Sequence, residues 1–344
     1  MKVARPLGWL LPALAASTLA VSGAAIAQKT ELLVYTALET DQIKAYEQAF
    51  TKAHPDIAIK WVRDSTGVIT SKLLAEKANP QADLVVGVSA SSLAVFDNEG
   101  MLLPYAPKGL DKISAKYRDP KNPPAWVGMD VYGSAICFNT VEAQKQGLPK
   151  PATWKDLLNP VYKGKIVMPN PASSGTGYLD VAAWIQMWGE AEAWKYMDAL
   201  HQNIAQYQHS GSKPCRQAGA GEFPIGLTFE YRAVTTKKSG APIDIIFPTE
   251  GLGWDLESSG IMKNTKKLDA AKKLMDWLAT PEAMELFSKN FAVVAVPGIA
   301  KPLDYVPADY EQRLTKNDFA WSAKNRDKIL AEWTKRYDAK SEKK

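Results

Sequence analysis

Residues 32–54, LLVYTALETDQIKAYEQAFTKAH, contain the local pattern from which the fold class can be inferred. It opens with the apolar run LLVY, typical of a buried strand, which ends at Thr36. After a polar loop, apolar residues recur at helical spacing as far as Phe50, which predicts a helix from about Asp41 to His54. The stretch therefore reads as strand, polar loop and helix.

The same order recurs along the chain. Strands that alternate with helices predict an α/β fold with mostly parallel sheets flanked by helices. In such sheets ligands bind beyond the carboxyl ends of the strands, so the turns between strand and helix are the places to look for function. The further predicted strands of this pattern are Ile57–Val62, Asp83–Val88, Ile166–Met168 and Ile225–Phe229.

The length of 344 residues suggests two domains. We interpret Tyr132–Phe138 as a strand that crosses from one lobe into the other. The chain is expected to return near Ser258–Met262, because helical patterns follow. This predicts one lobe from residues 28–134 plus 259–344 and a second lobe from residues 135–258.

The N-terminal residues have the pattern of a secretory signal peptide. Lys2 and Arg5 precede an apolar run that is interrupted by Pro12 and leads to the small residues before Gln28. We predict a signal peptide over residues 1–27, cleavage before Gln28 and a periplasmic location. The cleavage point carries no cysteine, so a lipid anchor is not expected.

The composition excludes disordered and disulfide-rich classes: 46% of the residues are apolar, and Cys137 and Cys215 are the only cysteines. These two either form one bridge or are separate buried thiols. Removing Lys2 and Arg5 would leave 40 basic against 37 acidic residues, so the pI of about 8.9 gives little reason to expect nucleic-acid binding. A monomer is expected.

The usual signatures of catalysis and cofactor binding do not occur. The three histidines form no zinc-binding pattern, and neither a dinucleotide-binding glycine motif nor a phosphate-binding P-loop is present. Ser210–Lys213 fits S-x-x-K, but Pro214 follows and the partner motifs are missing. We therefore expect no enzyme activity, no metal and no cofactor.

Hydroxyl-rich and glycine-rich turns stand at three predicted helix starts. Backbone N–H groups at such a start, together with Ser and Thr hydroxyls, can bind an anion without a formal positive charge. Ordinary helix capping favours the same residues, so one turn alone would not indicate a site. The three turns are Ser65-Thr66-Gly67, Ser89–Ser92 and Ser173-Ser174-Gly175-Thr176-Gly177.

Charged and aromatic side chains near other strand ends complete the candidate site. Glu230 could accept a ligand cation and Tyr231 could donate to an anion, although a solvated first-turn glutamate is the simpler interpretation of Glu230. Glu39 is a similar candidate. Trp254 lies in the glycine-rich run EGLGW, where a loop tryptophan could cover a ligand.

Several long segments resemble the periplasmic solute-binding proteins of ABC importers, and specifically their 2-aminoethylphosphonate-binding members. The segments are Val34–Glu39, Trp61–Ile69, Met168–Gly177, His209–Cys215, Phe229–Arg232 and Glu250–Trp254. The resemblance implies a two-lobed (type II) periplasmic binding protein with its ligand in the cleft between the lobes. It also implies capture of 2-aminoethylphosphonate and delivery to the permease subunits of an ABC transporter.

On this resemblance, the lobes close over the ligand and the hydroxyl-rich turns hold the phosphonate. Tyr231 would add a donor, and Glu230 or Glu39 would take the ammonium. Thr36, at the end of the first strand, and Trp254 complete the expected site. The phosphonate ligands would be Ser65, Thr66, Gly67 and Ser89 from one lobe and Ser173, Ser174, Gly175 and Thr176 from the other.

Two alternatives remain. Ferric-iron-binding proteins share this architecture but use adjacent tyrosines where this chain has Glu230 and Tyr231, so we place iron second. A secreted hydrolase of phosphonates or phosphate esters would need a metal or nucleophile that the sequence does not reveal.

Overall fold

The computed structural model describes residues 1–4 and 29–343. Apart from its first four residues, the predicted signal peptide lies outside these ranges, so cleavage before Gln28 stays a prediction. No helix within the described ranges is both long enough and apolar enough to span a membrane.

The first part of the chain alternates strands with helices, as residues 32–54 predict. Its elements are β1 (Thr30–Thr36), α1 (Thr40–Ala53), β2 (Ile57–Arg63), α2 (Thr66–Ala75), β3 (Leu84–Ser89), α3 (Ala90–Asn98), β4 (Leu102–Leu103) and β5 (Val127–Asn139).

The rest of the chain continues the pattern and ends in helices. The elements are α4 (Thr140–Gln146), β6 (Ile166–Pro169), α5 (Gly175–Trp188), α6 (Glu190–Asn203), β7 (Ile204–Gln208), α7 (Lys213–Ala220), β8 (Ile225–Phe229), α8 (Glu230–Lys238), β9 (Ile243–Ile246), β10 (Trp254–Met262), α9 (Leu268–Leu278), α10 (Pro281–Phe287), α11 (Tyr310–Arg313) and α12 (Phe319–Tyr337).

Two mixed sheets share strand β5. In the first sheet the order is β2-β1-β3-β10-β5: β1 is parallel to β2 and β3, and β10 is antiparallel to β3 and β5. In the second sheet β8 joins β5 to β6 and β7, and β6 is parallel to both β7 and β8. The α/β class is confirmed, with antiparallel strands added where the chain crosses.

The crossing occurs within β5, next to the predicted boundary. Residues up to Gly133 pair with β10, and residues from Ser134 onward pair with β8 and β9. The return is earlier than predicted, because the whole of β10 from Trp254 already pairs within the first sheet. Strands β5 and β10 are therefore the hinge strands.

The C-terminal helix α12 differs from the prediction that residues 259–344 join the first lobe. Ile329, Trp333 and Tyr337 recur every four residues and pack into the core of the second sheet, because they form one apolar face. At the other end of the helix, Phe319 packs against Trp254 of the first core. Helix α12 thus spans both lobes.

The two cysteines form a disulfide between Cys137 of β5 and Cys215 of α7, and both side chains are fully buried. The sequence left this pairing open. The bridge fixes α7 against the hinge strand.

Candidate functional site

Most of the residues that line a cleft between the two sheets lie at or just beyond the carboxyl ends of parallel strands, where α/β sheets bind ligands. The first lobe supplies Ala37, Glu39, Arg63, Ser65, Thr66, Gly87 and Ser89. The second lobe supplies Ser174, Gly175, Thr176, Ser210, Gly211 and Phe229, and the hinge strands supply Tyr132 and Glu257.

Two helix starts face each other across this cleft. Ser65 stands at the N-cap of α2, and Ser174 caps α5 by accepting from the backbone N–H of Gly177. The approach is close: a Cβ atom on Gly175 would lie 2.7 Å from Oγ1 of Thr66, so only glycine fits. The two N-termini therefore direct N–H groups and hydroxyls into one small space, a geometry suited to an anion.

The hydroxyl of Tyr132 points to the same space. A Cβ on Gly175 would lie 3.1 Å from this oxygen, and the Tyr132 side chain is buried. Within residues 29–343 the hydroxyl has no hydrogen-bond partner. Burial raises the pKa of Tyr132 well above its ordinary value, so the group stays protonated and can donate. An unpartnered buried donor that lines a cleft is available to a ligand.

The carboxylate of Glu39 is bound by side chains of the protein. Its carboxylate lies 3.0 Å from Arg232, 3.3 Å from Arg216 and 3.5 Å from Arg63, and it accepts from the hydroxyl of Ser212. The expectation that Glu39 would take a ligand ammonium is therefore corrected, because three guanidinium groups already surround it. The cluster instead places positive charge beside the cleft.

Glu257 is the other carboxylate that lines the cleft. Nε2 of Gln42 lies 3.2 Å and 3.4 Å from its two oxygens, and the side chain is 8% exposed. Asp130 stands directly opposite Glu257 in the β5–β10 register. Burial raises the pKa of Glu257 to about 8 and the pKa of Asp130 well above its ordinary value.

Several predicted ligands lie outside the cleft lining. The Thr36 hydroxyl accepts from the Leu38 backbone N–H, 3.1 Å away, because β1 ends in a tight turn there. Gly67 and Ser173 meet each other beside the cleft, where the Gly67 N–H donates to the Ser173 carbonyl at 2.9 Å. This bond joins the lobes but leaves neither residue among those that line the cleft.

Glu230 and Tyr231 are also placed differently from the prediction. Glu230 is fully buried at the start of α8, where it accepts from the Gly133 N–H at 2.7 Å, and burial raises its pKa to about 8. The Tyr231 hydroxyl donates to Asp41 across the lobes. Both side chains thus have partners within the protein and lie outside the cleft lining.

The prediction that Trp254 covers a ligand from a loop is wrong. Trp254 begins strand β10, where it pairs with Gly133, and its indole packs against Tyr117 and Phe319. The indole N–H donates to the carbonyl of Thr315 at 2.7 Å. The glycine-rich run ends one residue earlier, and strand pairing turns the indole into the core.

The structure brings together Glu39, Ser65, Thr66, Ser89, Ser174, Gly175 and Thr176 from the predicted set. Arg63, Tyr132 and Glu257 line the same cleft but were missed. Arg63 lies within the segment Trp61–Ile69 that carried the resemblance, whereas no local motif marks Tyr132 or Glu257. Ser210 and Gly211 lie within the segment His209–Cys215 that carried the resemblance, a signal that could have identified them.

The lobes are in direct contact around the cleft. Nε2 of His209 lies 3.0 Å from a carboxylate oxygen of Asp64, in addition to the contacts of Glu39, Gly67 and Tyr231. The structure is therefore a closed arrangement. No group of three or more histidine, cysteine or acidic residues in the described part of the chain could hold a metal ion.

Comparison with known proteins identifies relatives over most of the chain. A family model described as bacterial extracellular solute-binding protein matches residues 79–325. An uncharacterized protein of Haemophilus influenzae is 35% identical over 281 residues, covering 81% of each chain. A probable ABC transporter periplasmic-binding protein of Sinorhizobium fredii is 27% identical, covering 73% of this chain and 69% of its own length.

A solved structure shares the architecture. The periplasmic binding protein AfuA from Actinobacillus pleuropneumoniae, with exogenous fructose-6-phosphate bound, superimposes with a TM-score of 0.84 at 29% identity. The match covers 90% of this chain and 99% of that chain. The two-lobed binding-protein architecture is thereby confirmed over nearly all of the chain.

Proposed function

Because the chain belongs to the bacterial extracellular solute-binding proteins, we propose that it captures 2-aminoethylphosphonate in the periplasm and delivers it to an ABC transporter permease. The chain is a solute-binding protein of an ABC transporter and not an enzyme. The choice of ligand is our proposal, and it rests on the chemistry of the cleft.

The phosphonate binds between the two facing helix starts. Hydroxyls of Ser65, Thr66, Ser174 and Thr176 converge there with the unpartnered hydroxyl of Tyr132. A phosphonate presents three acceptor oxygens, so it can use donors from both lobes at once. Binding of one group by both lobes stabilises the closed form relative to an open one.

The ammonium binds to Glu257, and the position of this carboxylate in the cleft lining is the observation that carries the proposal. Glu257 lines the cleft, is nearly buried, accepts from the Gln42 amide and has no cationic partner among the described side chains. The hydroxyl and N–H donors at the two facing helix starts, here called the anion cradle, lie in the same cleft as one available carboxylate. This combination matches a small ligand with opposite charges at its two ends.

A sugar phosphate is the second candidate, because AfuA was solved with fructose-6-phosphate bound. The cradle would suit its phosphate, and Glu257 could accept from sugar hydroxyls. Iron is not proposed. Glu230 and Tyr231 stand where ferric-iron-binding proteins have adjacent tyrosines, but both have partners within the protein. Tyr231 donates to Asp41, and Glu230 accepts from the Gly133 backbone.

Replacing Glu257 by Gln tests the proposal. Near pH 7 we expect Glu257→Gln to weaken binding of 2-aminoethylphosphonate about 30-fold to 150-fold, because an ion pair to the ammonium is worth about 2–3 kcal/mol when buried. Ethylphosphonate, which lacks the amine, should change by less than about threefold. Isothermal titration calorimetry with both ligands measures the two effects.

Asp180→Asn is the matched control, since Asp180 is a buried carboxylate outside the cleft lining. It should leave the ratio of the two affinities unchanged. If Glu257→Gln lowers the affinity for both ligands equally, Glu257 does not bind the amine.

A further inference from the structure

Two acids face each other from the adjacent hinge strands β5 and β10, and one of them, Glu257, lines the cleft. Asp130 of β5 and Glu257 of β10 are direct partners in the antiparallel register, so their side chains share one face. Asp130 is fully buried, and within residues 29–343 its carboxyl group has no hydrogen-bond partner other than Glu257. Glu257 completes the pair and lines the cleft.

The groups around the acid pair are neutral or acidic. Helix α1 presents the Gln42 amide and the buried Tyr46 hydroxyl, and the start of α8 adds Glu230. Tyr310 of α11 and Glu39 complete the electrostatic surroundings, and Asn290 lies next to Tyr46. Arg63 also lines the cleft, but it is paired with Glu39. In the described ranges neither acid of the pair is joined to a cationic side chain.

Two buried carboxylates that face each other without a cation cannot both be ionised near neutral pH. Coulomb repulsion and lost hydration each favour a proton on the pair. The raised pKa values of Asp130 and Glu257 agree with this, and their first cause is burial. Repulsion keeps one proton on Asp130, and burial without a cation keeps a second proton on Glu257 near pH 7, so the empty pair is neutral.

We propose that the Asp130–Glu257 pair exchanges a proton for the cationic end of the ligand. The inference rests on the proposed function. When the ammonium reaches Glu257, the O–H bond of the Glu257 carboxyl breaks and the proton leaves to solvent. The carboxylate then pairs with the ammonium. The ammonium brings one positive charge and the released proton removes one, so the net charge at the acid pair does not change.

This exchange has two consequences. Affinity rises with pH below the pKa of the pair, because binding releases a proton. A ligand without a cation leaves Glu257 protonated, so it gains no ion pair there. Proton exchange thus lets a buried acid recognise an amine without leaving an uncompensated charge in the empty protein.

Calorimetry in two buffers of different ionisation enthalpy counts the protons. Near pH 7 the unmodified protein should release about one more proton per bound 2-aminoethylphosphonate than Glu257→Gln does. Because the ligand is the same, its own titration cancels in the difference. The affinity ratio of the two proteins should also rise about tenfold per pH unit from about pH 6 to about pH 7.

Asp180→Asn is the control, since Asp180 is a buried carboxylate whose pKa burial raises to about 8, yet it lies outside the cleft lining. It should keep the full proton release. Binding of 2-aminoethylphosphonate with equal proton release by the unmodified protein and by Glu257→Gln would overturn the exchange but leave the proposed function standing. No binding of this ligand would overturn both.

Discussion

At the scale of single residues, Glu39 joins the two lobes. Its carboxylate belongs to the first lobe, whereas Ser212, Arg216 and Arg232 reach it from the second. The side chain is mostly buried, so these contacts are weakly screened by solvent. We infer that Glu39 contributes to closure of the lobes.

Replacing Glu39 by Gln should favour an open arrangement of the unliganded protein, because the neutral amide loses the charge that holds Arg216 and Arg232. Small-angle X-ray scattering should show a larger radius of gyration than that of the unmodified protein. Asp276→Asn is the control, since Asp276 contacts Tyr105 and Lys108 within the first lobe. An unchanged radius for Glu39→Gln would contradict the role of Glu39 in closure.

The sequence allows some cleft residues to be predicted and hides others. Ser65, Thr66 and Ser174 were accessible because hydroxyls at helix starts form a local pattern. Tyr132 and Glu257 were not, because their meeting depends on the pairing of two hinge strands far apart in sequence. Glu39 was correctly predicted to line the cleft, but its predicted partner was a ligand ammonium. Its partners are three arginines from distant segments, which no local pattern reveals.

At the scale of elements, the disulfide connects the hinge to the interlobe contacts. Cys215 of α7 adjoins Arg216, and Ser212 stands at the N-cap of the same helix. Anchoring α7 to β5 through Cys137 therefore holds the second-lobe partners of Glu39 in place.

Removing the bridge by Cys137→Ala with Cys215→Ala should lower the free energy of unfolding by about 2–4 kcal/mol, because the bridge closes a long loop of the unfolded chain. Chemical denaturation measures the shift in midpoint. The unmodified protein in reductant should move toward the same midpoint. A midpoint that stays unchanged in the double variant would contradict a stabilising role for the bridge.

The strands and helices of both lobes were largely predictable, but the place of α12 was not. Hydrophobic periodicity locates the helix, because Ile329, Trp333 and Tyr337 share one face. The same pattern does not tell which lobe that face covers. The return of the chain to the first lobe at Trp254 was also not predictable from local sequence. The glycine-rich run before Trp254 suggests a loop, but Trp254 pairs with β5 and begins a strand.

At the scale of the whole molecule, net charge says little about the ligand. The chain carries +5 overall, yet the anion cradle relies on hydroxyls and helix N-termini, and the nearby arginines surround Glu39. Recognition instead depends on closure, which brings donors from both lobes to one point. A ligand that bridges the lobes is therefore needed for full stability of the closed form.

Calorimetric titration of the unmodified protein with 2-aminoethylphosphonate, fructose-6-phosphate and ferric citrate measures which of these ligands the cleft binds. About seven heavy atoms at roughly 1.5 kcal/mol each limit the affinity of 2-aminoethylphosphonate to a Kd of about 10 nM or weaker. We predict one 2-aminoethylphosphonate per chain with a Kd below about 10 µM, and at least about a hundredfold weaker binding of the other two. Tight binding of fructose-6-phosphate or iron, with no heat from 2-aminoethylphosphonate, would contradict 2-aminoethylphosphonate as the ligand.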